Sequence, residues 1–126
     1  MTTYLITGAN RGIGLELVKQ LRARGDAVLA TTRTGTDADL SATGARVLKL
    51  EVSDEDSIAA LGAAVAASPI DVLINNAGVG SQASAINDQT LEELSRVFTV
   101  NAFAPILIAK ACLPALRAGT RRVIMN

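Results

Sequence analysis

Tyr4-Leu5-Ile6-Thr7-Gly8-Ala9-Asn10-Arg11-Gly12-Ile13-Gly14 runs from an apolar, strand-like triplet through three glycines into an amphipathic stretch. Glycines at this spacing between a strand and a helix let the backbone turn tightly and approach a bound phosphate group. A side chain at Gly8 or Gly12 is expected to stand where phosphate oxygens would sit. The free N–H groups opening the next helix supply donors and a positive dipole end. Alone, such a turn also serves as a plain tight connection in many α/β proteins, so the rest of the chain has to decide.

Outward from that turn, β-rich runs alternate with helical patterns. Tyr4–Thr7 reads as a first strand. Gly12 to about Arg24 reads as a helix with Ile13, Leu17, Val18 and Leu21 on one face, and Gly25 stops it. Ala27–Thr32 and Val47–Glu51 read as the second and third strands, with a short helical turn near Asp37–Ala42 between them. Ser53, with Asp56 three residues on, caps a helix through about Ala67. Asp71–Asn75 is a fourth strand, followed by a Gly/Ser/Asn/Ala-rich loop over 76–89. Thr90 with Glu93 forms a second capping box, opening a helix that carries Leu91, Leu94, Val97 and Phe98. Pro105 kinks that helix or begins a second piece ending near Gly119. Arg121–Met125 is a fifth strand, where the pattern stops. Continuous aliphatic strands alternating with helices predict one α/β domain over 1–126. It is a Rossmann-type, doubly wound parallel sheet ordered 3-2-1-4-5, truncated after the fifth strand.

Composition narrows the chemistry. The 126 residues are 49% hydrophobic but only 2% aromatic, which predicts an Ala-rich aliphatic core. Twelve Lys and Arg balance twelve Asp and Glu, so no basic excess recommends nucleic acid as a partner. Histidine is absent, which removes Ser-His-Asp and Cys-His chemistry and most zinc sites, and no metal is expected. The lone Cys112 lies in an apolar helical stretch and reads as a small buried hydrophobe. No signal-peptide pattern opens the chain, and the apolar run Ala102–Ala109 is too short to span a bilayer. A cytoplasmic protein without membrane contact is the expectation.

Four further features agree with the glycine turn. Asn75-Asn76-Ala77-Gly78 ends the fourth strand beside the first, lining the same crevice. Glu51-Val52 ends the third strand, where a carboxylate can accept from an adenine amino group. The end of the second strand carries Arg33 in place of an acid. Val100-Asn101 lies in the long helix after the loop. With these, the chain resembles the short-chain dehydrogenase/reductase family, classical type. The segment Thr7–Gly14 is similar to its cofactor fingerprint and Asn75–Gly78 to its second signature. The runs Ala9–Leu21 and Ala30–Arg33 are also similar to carbonyl-reductase and C-factor-like members.

The resemblance implies that Gly8, Gly12 and Gly14 shape the pyrophosphate turn while Asn10, Arg11 and Ile13 contact the cofactor. It implies that Asn76 and Ala77 pack near the adenosine ribose and brace the sheet, with Gly78 completing that signature. Asn101 matches the family's catalytic-helix Asn, which holds a water in a proton relay; its plain reading is a kink residue satisfied locally. Glu51 stands where the family usually has Asp, so the adenine contact shifts by a methylene or passes to the Val52 backbone. An NAD site places a carboxylate at the second strand's end, which would repel a 2′-phosphate. Here Arg33 and Arg11 are placed to clasp one, although each alone also reads as a solubilising charge. NADP(H) is therefore expected, with a small carbonyl or alcohol as substrate.

The family completes hydride transfer with a Ser, a Tyr and a Lys four residues after that Tyr. Here the only tyrosine is Tyr4, and no Tyr-x-x-x-Lys occurs. The chain alone is expected to be inactive, the cofactor-binding part of a reductase that is a homo-oligomer at full length. The alternatives are a nucleotide-binding module or fragment without catalysis and, leaving the Gly/Asn constellation unused, a structural interaction domain.

Overall fold

The computed structural model describes residues 1–126. Strands β1 (Thr3–Ile6), β2 (Ala27–Thr32), β3 (Arg46–Lys49), β4 (Val72–Ile74) and β5 (Val123–Met125) form one parallel sheet ordered β3-β2-β1-β4-β5, the expected order. Helices α1 (Gly12–Ala23) and α2 (Ala38–Ala42) cover one face, and α3 (Glu55–Val65), α5 (Ala104–Ala111) and α6 (Leu113–Ala118) the other. Helix α4 (Leu91–Phe98) leads into α5.

Alternation along the strands divides the core in two. Tyr4, Ile6, Val28, Ala30 and Val72 point to the face covered by α1 and α2, where Val18 and Leu21 of α1 and Leu40 of α2 meet them. Leu5, Leu29 and Leu73 point the other way, onto Ile58, Leu61, Val65, Ile108 and Leu116. Ile13 departs from the expected buried face and is 76% exposed, because the first turn of α1 overhangs the sheet's C-terminal edge.

Polar side chains outside the strands set where the strands stop and start. Leu50 N–H still donates to Thr32 O, but Glu51 N–H donates to the Ser57 hydroxyl, so the chain leaves the sheet before Glu51. At the opposite end Asp71 is buried and acts as a clasp: Oδ2 accepts from Thr3 N–H, and Oδ1 from the N–H and hydroxyl of Thr120. Those donors, the Thr3 N–H foremost, hold its carboxyl well below the usual carboxylate range. Because Asp71 captures Thr120, and Arg122 turns with φ 57, β5 begins at Val123 and not at Arg121.

Two helix starts differ from expectation. Asp54, not Ser53, caps α3, accepting from Asp56 N–H at 3.0 Å, while the Ser53 hydroxyl donates to Glu51 Oε1. Thr90 caps α4 through Glu93 N–H, but the Glu93 carboxylate does not close the box and points to the loop before the helix. Between α4 and α5 the residues Thr99–Phe103 form a π turn, with Ala104 N–H reaching back to Thr99 O. Pro105 has no N–H and its ring crowds the preceding turn, and a widened turn accommodates both. The turn joins α4 and α5 into one helix, Leu91–Ala111. With 21 residues and an 18-residue window of mean hydropathy 1.3 it is long and apolar enough, by length and composition, to cross a membrane, which the run Ala102–Ala109 alone is not. Its buried Ala104 and Ile108 pack in the core with Leu61 and Val65 of α3, whereas Leu91, Leu94 and Phe98 of α4 face outward.

Candidate functional site

The C-terminal ends of β1, β2 and β4 open on a crevice of about 690 Å³. A crevice is expected there, because neighbouring connections leave β1 toward opposite faces of the sheet. Thr7 N–H still pairs with Ile74 O, and the chain then turns at Gly8 with φ +62. Helix α1 starts on Arg11 with no side-chain cap and no acid in its first turn, so its leading N–H groups remain open to an anion.

The three glycines divide the work. A Cβ on Gly8 would lie 2.8 Å from Ala77 Cα, so room there is limited by the loop after β4 and not by the crevice. A Cβ on Gly14 would come 2.5 Å from both Asn76 Nδ2 and Gly8 O. Only a Cβ on Gly12 would meet nothing, pointing into open space at the crevice. Gly8 is therefore required by the close approach of Ala77, and Gly12 by its left-handed backbone.

Asn76 ties the two signatures together. Its Nδ2 donates to Thr7 O at 3.1 Å and to Gly8 O at 2.9 Å, while Ala77 N–H donates to the Thr7 hydroxyl at 3.0 Å. The Thr7 hydroxyl is a fastening that sequence reading missed, since nothing local marks a partner 70 residues away. Gly8, Asn10, Arg11, Gly12, Ile13, Arg33, Glu51, Val52, Asn76, Ala77 and Gly78 all line the crevice, whereas Gly14 and Asn101 do not: Gly14 abuts Asn76, and Asn101 bonds Val79. Val79 and Leu50 line it as well and were not anticipated; each merely continues a run already singled out.

Arg11 and Arg33 are both exposed at the crevice and neither side chain forms a hydrogen bond or ion pair. Beside Arg33, the buried Thr31 and Thr32 line the wall without a carboxylate. One oxygen of Glu51 is occupied locally by the N–H and hydroxyl of Ser53. Asn101 sits in the π turn, and its amide closes a two-way pair with Val79: Oδ1 accepts from the N–H at 2.9 Å and Nδ2 donates to the carbonyl at 2.7 Å. Farther along the same loop, Gln82 N–H and Arg96 both donate to Glu93, and these bonds, Arg96 foremost, hold the carboxyl down at about 2. Tyr4 is nowhere near this wall, being buried under α1 with Val28 and Val72.

The profile described as short chain dehydrogenase matches residues 2–126. The chain is 39% identical over 128 residues to the short chain dehydrogenase gsfK of Penicillium aethiopicum, covering 93% of this chain and 51% of that protein. Its structure is similar to that of the NADPH-bound carbonyl reductase from chicken fatty liver, with a TM-score of 0.83 and 36% identity, covering 94% and 52% of the two chains. A metagenomic short-chain oxidoreductase in complex with NADP is similar at a TM-score of 0.79 and 32% identity, covering 93% and 56%. The chain thus spans about half the length of the relatives it matches. Sheet order, glycine turn, Asn76 bracing and these likenesses agree: the chain belongs to the short-chain dehydrogenase/reductase family of oxidoreductases.

Proposed function

We propose that this chain is the NADP(H)-binding part of a reductase that transfers hydride between the nicotinamide and a carbonyl or alcohol. The observation that carries the choice of cofactor is the pair of unengaged guanidiniums, Arg11 and Arg33, with no carboxylate at the end of β2. A 2′-phosphate accepts charge-assisted hydrogen bonds from arginine, and no acid at the end of β2 opposes it. NADP-bound and NADPH-bound relatives support the same reading.

In this reading the open N–H groups of α1 and the space at Gly12 receive the pyrophosphate, and the free oxygen of Glu51 lies on the adenine side. Asn76 holds the glycine turn in shape. Asn101 fixes Val79 and contributes to the proton relay. The cofactor, when bound, supplies or accepts the hydride. The single tyrosine is buried in the core and is not placed to protonate the alkoxide. The 126-residue chain should therefore bind cofactor without reducing a carbonyl, and the full reductase would be an oligomer acting on a small substrate.

Titration calorimetry with NADP and NAD tests this. NADP should bind more tightly, and Arg33→Ala should weaken NADP by about 10- to 150-fold, the worth of one charge-assisted bond, with NAD little changed. Equal affinities, or an Arg33→Ala variant whose NADP affinity is undiminished, would overturn the assignment. Turnover of NADPH with simple aldehydes by this chain would overturn the division of labour.

A further inference from the structure

We propose that Glu93 and Arg96 are positioning residues for the cofactor crevice, a clamp on α4 that grips the loop at Gly80 and Gln82 and so sets the Asn76–Val79 wall. The inference rests on the cofactor reading above.

The wall leaves β4 without regular structure, and small residues make up most of it. Its near end is tied to β1 through Thr7, and Val79 is paired with Asn101. Past Val79 nothing apolar holds the chain: Gly80, Ser81 and Gln82 are exposed, and a Cβ on Gly80 would meet no atom. The loop's course there depends on polar bonds. Arg96 Nη2 donates to Gly80 O at 2.8 Å, and Glu93 Oε1 accepts from Gln82 N–H. The two side chains are locked together by Nε to Oε2 at 3.0 Å and Nη2 to Oε1 at 2.9 Å, a bidentate fork.

A pair three residues apart on a helix ordinarily lies in water and contributes little. Here the Glu93 side chain is only 15% exposed. It also forgoes the reciprocal capping bond that its position opposite Thr90 invites. The pair has a direction: the loop offers a carbonyl at Gly80 and an N–H at Gln82, so the cation must stand at 96 and the anion at 93.

That direction supplies the test. Arg96→Ala, Arg96→Lys and the double exchange Glu93→Arg with Arg96→Glu are compared with the wild type. Readouts are NADPH affinity and hydrogen exchange of the Val79 and Gln82 amides. Arg96→Ala should weaken NADPH by about tenfold, the worth of its single bond to the loop at Gly80, and accelerate exchange at both amides. Arg96→Lys, which keeps one donor but not the fork, should fall between. The double exchange restores the ion pair on the helix but sets donor against donor at Gln82, and should fail to rescue either readout. Full rescue by the exchange, or unchanged affinity and exchange in Arg96→Ala, would overturn the clamp. If the wild type binds no NADPH, the cofactor reading falls, and amide exchange still decides whether the loop is clamped.

Discussion

Gly14→Ala and Gly12→Ala should fail in opposite ways, and the contrast probes how the glycine turn is built. Gly14 lies in the first turn of α1 with ordinary helical backbone, where helix propensity alone predicts that Ala gains about 1 kcal/mol. The packing predicts the reverse. The added Cβ would sit 2.5 Å from Asn76 Nδ2 and 2.5 Å from Gly8 O, and the Asn76 amide must move away. Overpacking of this kind costs about 1–3 kcal/mol. Displacing Asn76 also breaks its bonds to Thr7 O and Gly8 O, each worth about 0.5–1.5 kcal/mol. Together these cost about 2–6 kcal/mol, a net loss of about 1–5 kcal/mol once the propensity gain is subtracted. For a chain of this length about 1 kcal/mol moves the melting temperature by roughly 4 °C, so a fall of about 4–20 °C is expected. Gly12 has φ +55 and open space around it, so Ala there carries only the left-handed backbone penalty, about 1 kcal/mol. Its Tm should fall by only about 4 °C, while its NADP affinity should fall steeply because the methyl occupies the phosphate's approach. Differential scanning fluorimetry with and without NADP reads both. A Gly14→Ala variant melting at or above the wild type would refute the claim that Asn76 buttresses the turn.

Three further expectations follow from the polar and apolar interior. Asp71→Asn should loosen β5, seen as faster exchange of the Val123 amide. Because the folded carboxyl lies below its ordinary value, Asp71 contributes stability that is complete above about pH 4 and lost as the pH falls, so the variant's deficit should shrink in acid. Burial pushes the Cys112 thiol up to about 11, so iodoacetamide at pH 8 should leave it unmodified until the protein is denatured. Gly119→Ala would drive a methyl into the Ile70 carbonyl, and soluble yield or Tm should drop more than for Gly80→Ala, whose surroundings are empty.

Sheet order and crevice were legible because they depend on local pattern: aliphatic strands, a glycine turn, and an Asn-rich exit from β4. Element ends were less so, since side chains outside the strands set them. Glu51 leaves the sheet because Ser57 takes its N–H, and β5 starts late because Asp71 holds Thr120. A helical wheel groups Ile13 with Val18 and Leu21, but the first turn of α1 has no layer beneath it to bury that side chain. Glu93 was read as half of a capping box. The spacing was right and Thr90 does cap, yet Arg96 and Gln82 N–H compete successfully for the carboxylate. Asn101 was legible as a special helix position, while its pairing with Val79 required the fold.

The π turn at Thr99–Phe103 sets a helical phase. An α-helix advances about 100° per residue, so the extra residue in the turn rotates everything after it relative to everything before. That offset lets one continuous helix present Glu93, Arg96 and Asn101 to the loop while turning Ala104 and Ile108 onto the core. Deleting one residue there would put the two ends in step and deprive one of them of its partner. Loop and core are thereby geared to each other through a single turn, and a sequence change anywhere in Thr99–Phe103 acts on both.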